Sequence, residues 1–210
     1  GLAVSSAVLL HLGVQVAAPF YTVYLRQHLA VPYAMIGVLA VAGQLAGLIA
    51  LPLWGSLATR LGNRTLLTLL LPLTAAASAL WLLARPPFAL PLLFLAQVAL
   101  GAALSGVQLA FFNLSLGYGS SAHRTRFLAV LNAGAGLAGG LAPLLGGWLD
   151  RMASAMGLAP GLAPLAVAPG FFLLTAAVAG RLPEPRPRTP APRPILGTAL
   201  AALHPALLPP

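Results

Sequence analysis

Eight side chains able to hold a polar solute lie within or beside long apolar runs: His11, Gln15, Gln44, Gln97, Ser105, Gln108, Asn113 and Asn132. Six are amides, which donate and accept hydrogen bonds without carrying charge. Their spacing is helical. Positions 11, 15, 18 and 22 share one face and bring together His11, Gln15 and Thr22; positions 97, 101, 105, 108 and 112 form one stripe with Gln97, Ser105 and Gln108 on it. The chemistry on offer is reversible hydrogen bonding to a passing or resident small molecule. Covalent chemistry has little support. The chain has no Cys, so it has no thiolate nucleophile and no disulfide. Its only acids, Asp150 and Glu184, fall outside the apolar runs, and Ser105 has no evident base. No ligand cluster points to a metal, and no motif points to a cofactor. For any single amide the competing reading is a bond to a neighbouring helix, worth ~0.6–2 kcal/mol.

The elements that position these residues follow from composition. Of 210 residues, 60% are hydrophobic and 6% charged, with a mean hydropathy of +0.95. A soluble domain carries roughly 25% charged residues, so lipid is the expected solvent. Six segments have the ~20 mainly apolar residues a spanning helix needs: Ala3 to Leu25, Ala34 to Leu57, Thr65 to Ala84, Phe88 to Leu116, Phe127 to Leu149 and Pro160 to Gly180. Continuous apolar runs, without polar alternation, argue for helices over a β-barrel. The expected organisation is a six-helix transmembrane bundle over residues 1–180 and a Pro/Arg-rich tail over 181–210. Within that tail, Ile195 to Leu208 is apolar but too short to span and is broken by Pro205. The first, second, fourth and fifth spans carry the amides. The third and sixth carry hydroxyls at most, and are expected to face lipid.

Charge gives the orientation. The cations are eleven Arg, with no Lys, and they sit between apolar runs without the aromatic interleaving that would suggest nucleic acid. Alternate loops lie on opposite sides. Arg60, Arg64, Arg124, Arg126, Arg181, Arg186, Arg188 and Arg193 share one side; Arg26, Arg85 and Arg151 share the other. Eight against three predicts both termini in the cytoplasm of a multi-pass cell (inner or plasma) membrane protein.

Internal symmetry is visible. Pro52-Leu53-Trp54-Gly55 to Arg60 aligns with Pro143-Leu144-Leu145-Gly146 to Arg151 at a constant offset of 91 residues. An odd number of spans separates the two stretches, as an inverted repeat of three plus three helices requires. The fifth span also clusters small residues, with Gly136, Gly140, Gly146 and Gly147 around Pro143. These suit close helix packing, or a flexing element, or both.

Gly55-Ser-Leu-Ala-Thr-Arg-Leu-Gly-Asn-Arg64 resembles the cytoplasmic loop signature of the major facilitator superfamily, roughly G-x-L-A-D-R-x-G-R-K. Gly55, Leu57, Ala58, Arg60 and Gly62 match and Arg64 stands for the final basic residue. Thr59 replaces the acid and Asn63 a basic residue. Ala142-Pro143-Leu144-Leu145-Gly146-Gly147 is similar to the family's Pro-x-x-Gly-Gly helix motif, with Ala142 in place of Gly. The resemblance covers about residues 3 to 180 and looks like the C-terminal half of such a transporter. It implies alternating access by a secondary transporter of a small solute, with a missing N-terminal six-helix half, or a second copy, as partner alongside membrane lipid. The opening Gly1-Leu2-Ala3 reads as though cut from something longer. In this frame Gly55 would let the second span lie close to a neighbour, and Arg60 and Arg64 would bond helix-end carbonyls, a carboxylate or lipid phosphate. A structural or assembly subunit without transport activity is the alternative.

Overall fold

The computed structural model describes residues 1–118 and 121–183, with the backbone alone for 121–124. The tail arginines Arg186, Arg188 and Arg193 and the apolar stretch 195–208 lie outside the described residues, as does the side chain of Arg124. The described residues form six long helices and no strand: α1 Leu2–Val23, α2 Tyr33–Leu61, α3 Asn63–Ala79, α4 Ala89–Gly117, α5 Ser121–Ala155 and α6 Leu162–Ala179. All six helical segments are long and apolar enough to cross a membrane. At ~1.5 Å per residue, the 29 residues of α2 or α4 extend over ~44 Å, well beyond a ~30 Å hydrocarbon core. They must tilt or protrude, whereas α6, with 18 residues, just spans.

Three boundaries differ from the hydropathy reading. Arg26, Gln27 and His28 do not break the chain; they complete a π-helical turn, Tyr24–His28, that extends α1. The third span ends in a 3-10 turn, Leu80–Leu83, after α3. The Asp150-Arg151 pair, expected as a break, lies inside α5, which runs on to Ala155. A charged pair ends an apolar run, but it does not end a helix. The actual stop is the turn around Gly157 and Gly161, both at positive φ.

The helices pack in a symmetric pattern. α2 lies on α4 as α5 lies on α1; α3 lies on α4 as α6 lies on α1; and α3 and α6 meet each other. Exchanging α1 with α4, α2 with α5 and α3 with α6 maps this pattern onto itself. Exchanged helices are three apart in sequence and therefore run in opposite directions, so the architecture is the inverted three-plus-three repeat. The aligned prolines Pro52 and Pro143 both sit inside helices, α2 and α5. The same symmetry places a glycine where the outer helix presses on the inner one. A Cβ at Gly13 of α1 would lie 3.0 Å from Phe171 of α6, and one at Gly106 of α4 would lie 2.3 Å from Leu70 of α3.

One expectation is corrected. The third span does not simply face lipid: half of its most apolar window is buried, against 17% for α2. α3 is wedged between α4 and α6. Its hydroxyls, Thr74 and Ser78, are buried and bond the carbonyls of Leu70 and Ala75 in their own helix. A Leu-rich helix with self-satisfied hydroxyls is equally suited to lipid and to an apolar neighbour, so composition cannot tell the two apart.

Candidate functional site

The α2–α4 crossing builds the centre of the site. At Gly101 the two backbones meet so closely that a Cβ would fall 2.0 Å from the Gly43 carbonyl oxygen, and one at Gly47 would fall 3.0 Å from the Gly101 carbonyl. Trp54 clamps the same crossing, its Nε1 donating to the Ala102 carbonyl at 2.7 Å. Beside this contact opens a cavity of about 400 Å³ lined by Gln44, Gln97, Ser105 and Gln108 among small and apolar residues. The Gln97 side chain lies against bare Gly43, where a Cβ would come within 2.8 Å of its Nε2. The Ser105 hydroxyl donates to the Ala102 carbonyl at 2.8 Å, so its oxygen remains available to accept.

A second cavity, of about 540 Å³, lies between α1, α4 and α5. His11, Gln15, Gln108, Phe111, Phe112 and Asn132 line it. His11 Nδ1 is 2.9 Å from the Ala7 carbonyl, one turn back in its own helix. Gln108 lines both cavities, and Gln97 is shared between the first and a third of about 200 Å³ beside Tyr21, Thr22 and Trp81. The two glutamines are eleven residues apart on α4, or ~16 Å along the axis, about half the thickness of a hydrocarbon core. A chain of hydrogen-bonding cavities with no Asp, Glu, Lys or Arg in their linings therefore runs along α4. α6 contributes to none of the three, and the third span contributes only Trp81.

Of the eight sequence candidates, the structure brings seven to these cavities. Asn113 is elsewhere: its Nδ2 donates to Asn63 Oδ1 at 3.1 Å, tying the end of α4 to the start of α3. It falls off the 97–108 stripe, and its amide is committed to a neighbouring helix. Trp81 lines the third cavity beside Tyr21 and Thr22; Thr22 already shared a face with His11 and Gln15, but sequence reasoning missed Trp81. Trp81 follows a helix whose one amide, Asn63, lies at its far end, and nothing in its local spacing aims it at α1.

The end bearing the Gly55 to Arg64 stretch is a knot of helix termini. Gly62, at φ 86°, is the single residue between α2 and α3; that left-handed corner suits glycine alone among ordinary residues. The Arg64 guanidinium donates to the Gly180 carbonyl at the end of α6, and the Tyr118 hydroxyl donates to the Pro183 carbonyl at 2.6 Å. Arg60 is exposed at the end of α2. Thr59, where the signature has an acid, spends its hydroxyl on the Ser56 carbonyl in its own helix. Gly55 does not serve a close approach within this chain, because a Cβ there would meet nothing within 4 Å. On α5, Gly146 is pressed against α1, where a Cβ would fall 2.5 Å from the Val16 carbonyl. Gly147 is in looser contact with Phe20, and Gly136 and Gly140 face open space. Pro143 lies between these two groups, inside the helix.

The sequence model of the Major Facilitator Superfamily matches residues 3–208. The chain belongs to that superfamily. It is accordingly a multi-pass membrane protein of a family of secondary transporters, built on the inverted six-helix unit of that fold. No curated protein sequence matches this facilitator chain.

Proposed function

We propose that this chain is the C-terminal six-helix half of a facilitator that moves a small solute by alternating access, with the amide-lined cavities along α4 as its share of the path. The observation that carries the reading is the sharing of Gln97 and Gln108 between successive cavities. Amides are costly in a membrane interior and usually face a wet or polar space. Here Gln44, Gln108 and Asn132 are exposed and Gln15 and Gln97 half-buried, and they line successive cavities.

The partner surface is supported by α2 and α5. Gly37, Gly55, Gly136 and Gly140 lie on these helices with nothing within 4 Å of a built Cβ. Leu48, Leu137 and Leu144 are more than half exposed. An N-terminal six-helix half in the same polypeptide, or a second copy, would cover these faces, with lipid around the remainder. The Arg distribution supports cytoplasmic termini in a cell (inner or plasma) membrane, placing the Arg64–Gly180 knot on the cytoplasmic side.

The test is uptake into proteoliposomes by the complete carrier. Gln97→Leu and Gln108→Leu are each expected to lower transport at least tenfold while leaving insertion intact. Unchanged uptake would remove α4 from the path. A folded, inserted carrier that moves no solute at all would favour a structural or assembly subunit.

A further inference from the structure

The second cavity lies toward the Gly55 to Arg64 end of the bundle, between the first half of α1, the last turns of α4 and the first turns of α5. His11 and Gln15 line it from α1, Gln108 from α4 and Asn132 from α5. His11, Gln108 and Asn132 are exposed and Gln15 is half-buried, so a solute in the cavity reaches all four. His11 Nδ1 donates to the Ala7 carbonyl at 2.9 Å. That carbonyl can only accept, so Nδ1 carries the hydrogen and, in the neutral ring, Nε2 is an acceptor. The two ring nitrogens face nearly opposite ways, so a ring tied back to its own helix through Nδ1 presents Nε2 outward. Nε2 has no partner among the described residues, and neither do the three amides. The rest of the wall is mostly apolar and includes two phenyl rings, Phe112 exposed and Phe111 buried.

We propose that this cavity takes an uncharged, flat cyclic amide, with one ring N–H donating to His11 Nε2 and an adjoining N–H and C=O pairing with an amide side chain. The chemical class follows from the lining. A primary amide presents N–H and C=O side by side, as a cyclic amide does, so the two close a pair of hydrogen bonds; Asn and Gln read the edge of a base in this bidentate way. His11 Nε2 adds a lone acceptor, which calls for a further N–H. The phenyl rings call for a flat apolar face. A polyol would leave that wall uncovered, and a hydrocarbon would leave four polar heads unpaired. No Asp, Glu, Lys or Arg lines the cavity, so a charged solute would lose hydration without gaining a counter-ion. The volume of about 540 Å³ equals the liquid volume of roughly eighteen waters, room for a one- or two-ring solute and some water. Gln108 also lines the central cavity, so a ring paired with it keeps that partner as it moves toward Gln44 and Ser105.

The site depends on a neutral His11. A proton on Nε2 would replace the acceptor by a donor and add a charge with no acid beside it. α4 and α6 carry no titratable side chain; Arg126, Asp150 and Arg151 on α5 stand six or more residues from Asn132; and Tyr21, Arg26 and His28 lie toward the other end of α1. Binding should therefore weaken toward acid pH.

This inference rests on the transport reading and names a solute class for it, and the experiment separates the two. Calorimetry on the complete carrier in detergent measures binding of uracil and hypoxanthine. The controls are 1,3-dimethyluracil, which keeps the ring and carbonyls but has no N–H, and orotate, which adds a carboxylate. At least one cyclic amide is expected to bind, with both controls at least about tenfold weaker. Its affinity is expected to fall between about pH 7.5 and about pH 5.5. His11→Leu is expected to weaken binding at least about fivefold. His11→Gln, whose amide oxygen replaces the Nε2 acceptor, is expected to keep most of the affinity and lose the pH dependence. Binding of neither cyclic amide, equal binding of either control, or an acid fall that persists in His11→Gln overturns the site. If His11→Leu fails to fold, the His11→Gln profile and the dimethyluracil comparison still decide. Counterflow of the same four probes in proteoliposomes tests transport independently. Counterflow of a control by a carrier that binds neither cyclic amide sinks the site and leaves the transport reading standing. Binding with the expected pH profile but without counterflow supports the site and sinks the transport reading.

Discussion

Gly101 is the residue on which the central cavity depends. The α2 and α4 backbones meet there at a distance no side chain permits, since an added Cβ would lie 2.0 Å from a carbonyl oxygen that cannot swing aside. Gly101→Ala is expected to force the helices apart at a cost of about 1–3 kcal/mol, read as a lower melting temperature of the detergent-solubilised chain. Gly136→Ala, where nothing lies within 4 Å, leaves the melting of the isolated chain unchanged. Both glycines are plain in the sequence, and Gln97 and Gln108 were identifiable as a stripe from spacing alone. That one glycine is a contact and the other open was not legible, because that depends on which helix lies opposite.

The α5–α6 connection shows how an element end is fixed. Asp150 lies near the end of α5, and its Oδ1 accepts from the Gly161 backbone N–H at 2.6 Å. Gly161 in turn packs against the end of α1, where a Cβ would fall 2.9 Å from the Phe20 carbonyl. At the 91-residue offset Asp150 stands opposite Thr59. The acid missing from the Gly55 to Arg64 stretch is thus present at the related position in the other repeat, on the opposite face of the membrane, where it ties a loop to a helix start. Asp150→Ala leaves the Gly161 N–H without its partner and is expected to cost about 1–3 kcal/mol, measured as a fall in melting temperature. Asp150→Asn retains an acceptor oxygen and should recover most of that loss. An Asp150→Ala chain as stable as the unaltered one would show that the loop is held by its packing on α1 alone.

At the scale of the molecule, the inverted repeat distributes roles. α4 runs along all three polar cavities and α1 along two of them; α2 and α5 flank them and carry open, glycine-bearing faces; α3 and α6 meet behind. The proposed orientation is directly testable, because the chain contains no Cys and an introduced one is the only reactive thiol. Thr59→Cys, at an exposed position, should react with a membrane-impermeant maleimide from the cytoplasmic side only. Phe88→Cys, exposed in the α3–α4 connection, should react from the opposite side only. The reverse pattern would invert the topology.

The sequence by itself determined the solvent, the number of spans and the candidate polar stripes. These are properties of local composition: a run of apolar residues must be helical in lipid whatever its neighbours, and residues three or four apart share a face in any helix. It also carried the family signature and a trace of the repeat. Only the tertiary structure decided which faces meet. It wedged α3 between α4 and α6, although its Leu-rich surface would suit lipid equally well. It turned Asn113 to Asn63, and it brought Trp81 against Tyr21 from sixty residues away. In an apolar solvent the hydrophobic effect does not choose partners among apolar helices. Close packing and a few hydrogen bonds do, and those depend on shapes that exist only once the helices have come together.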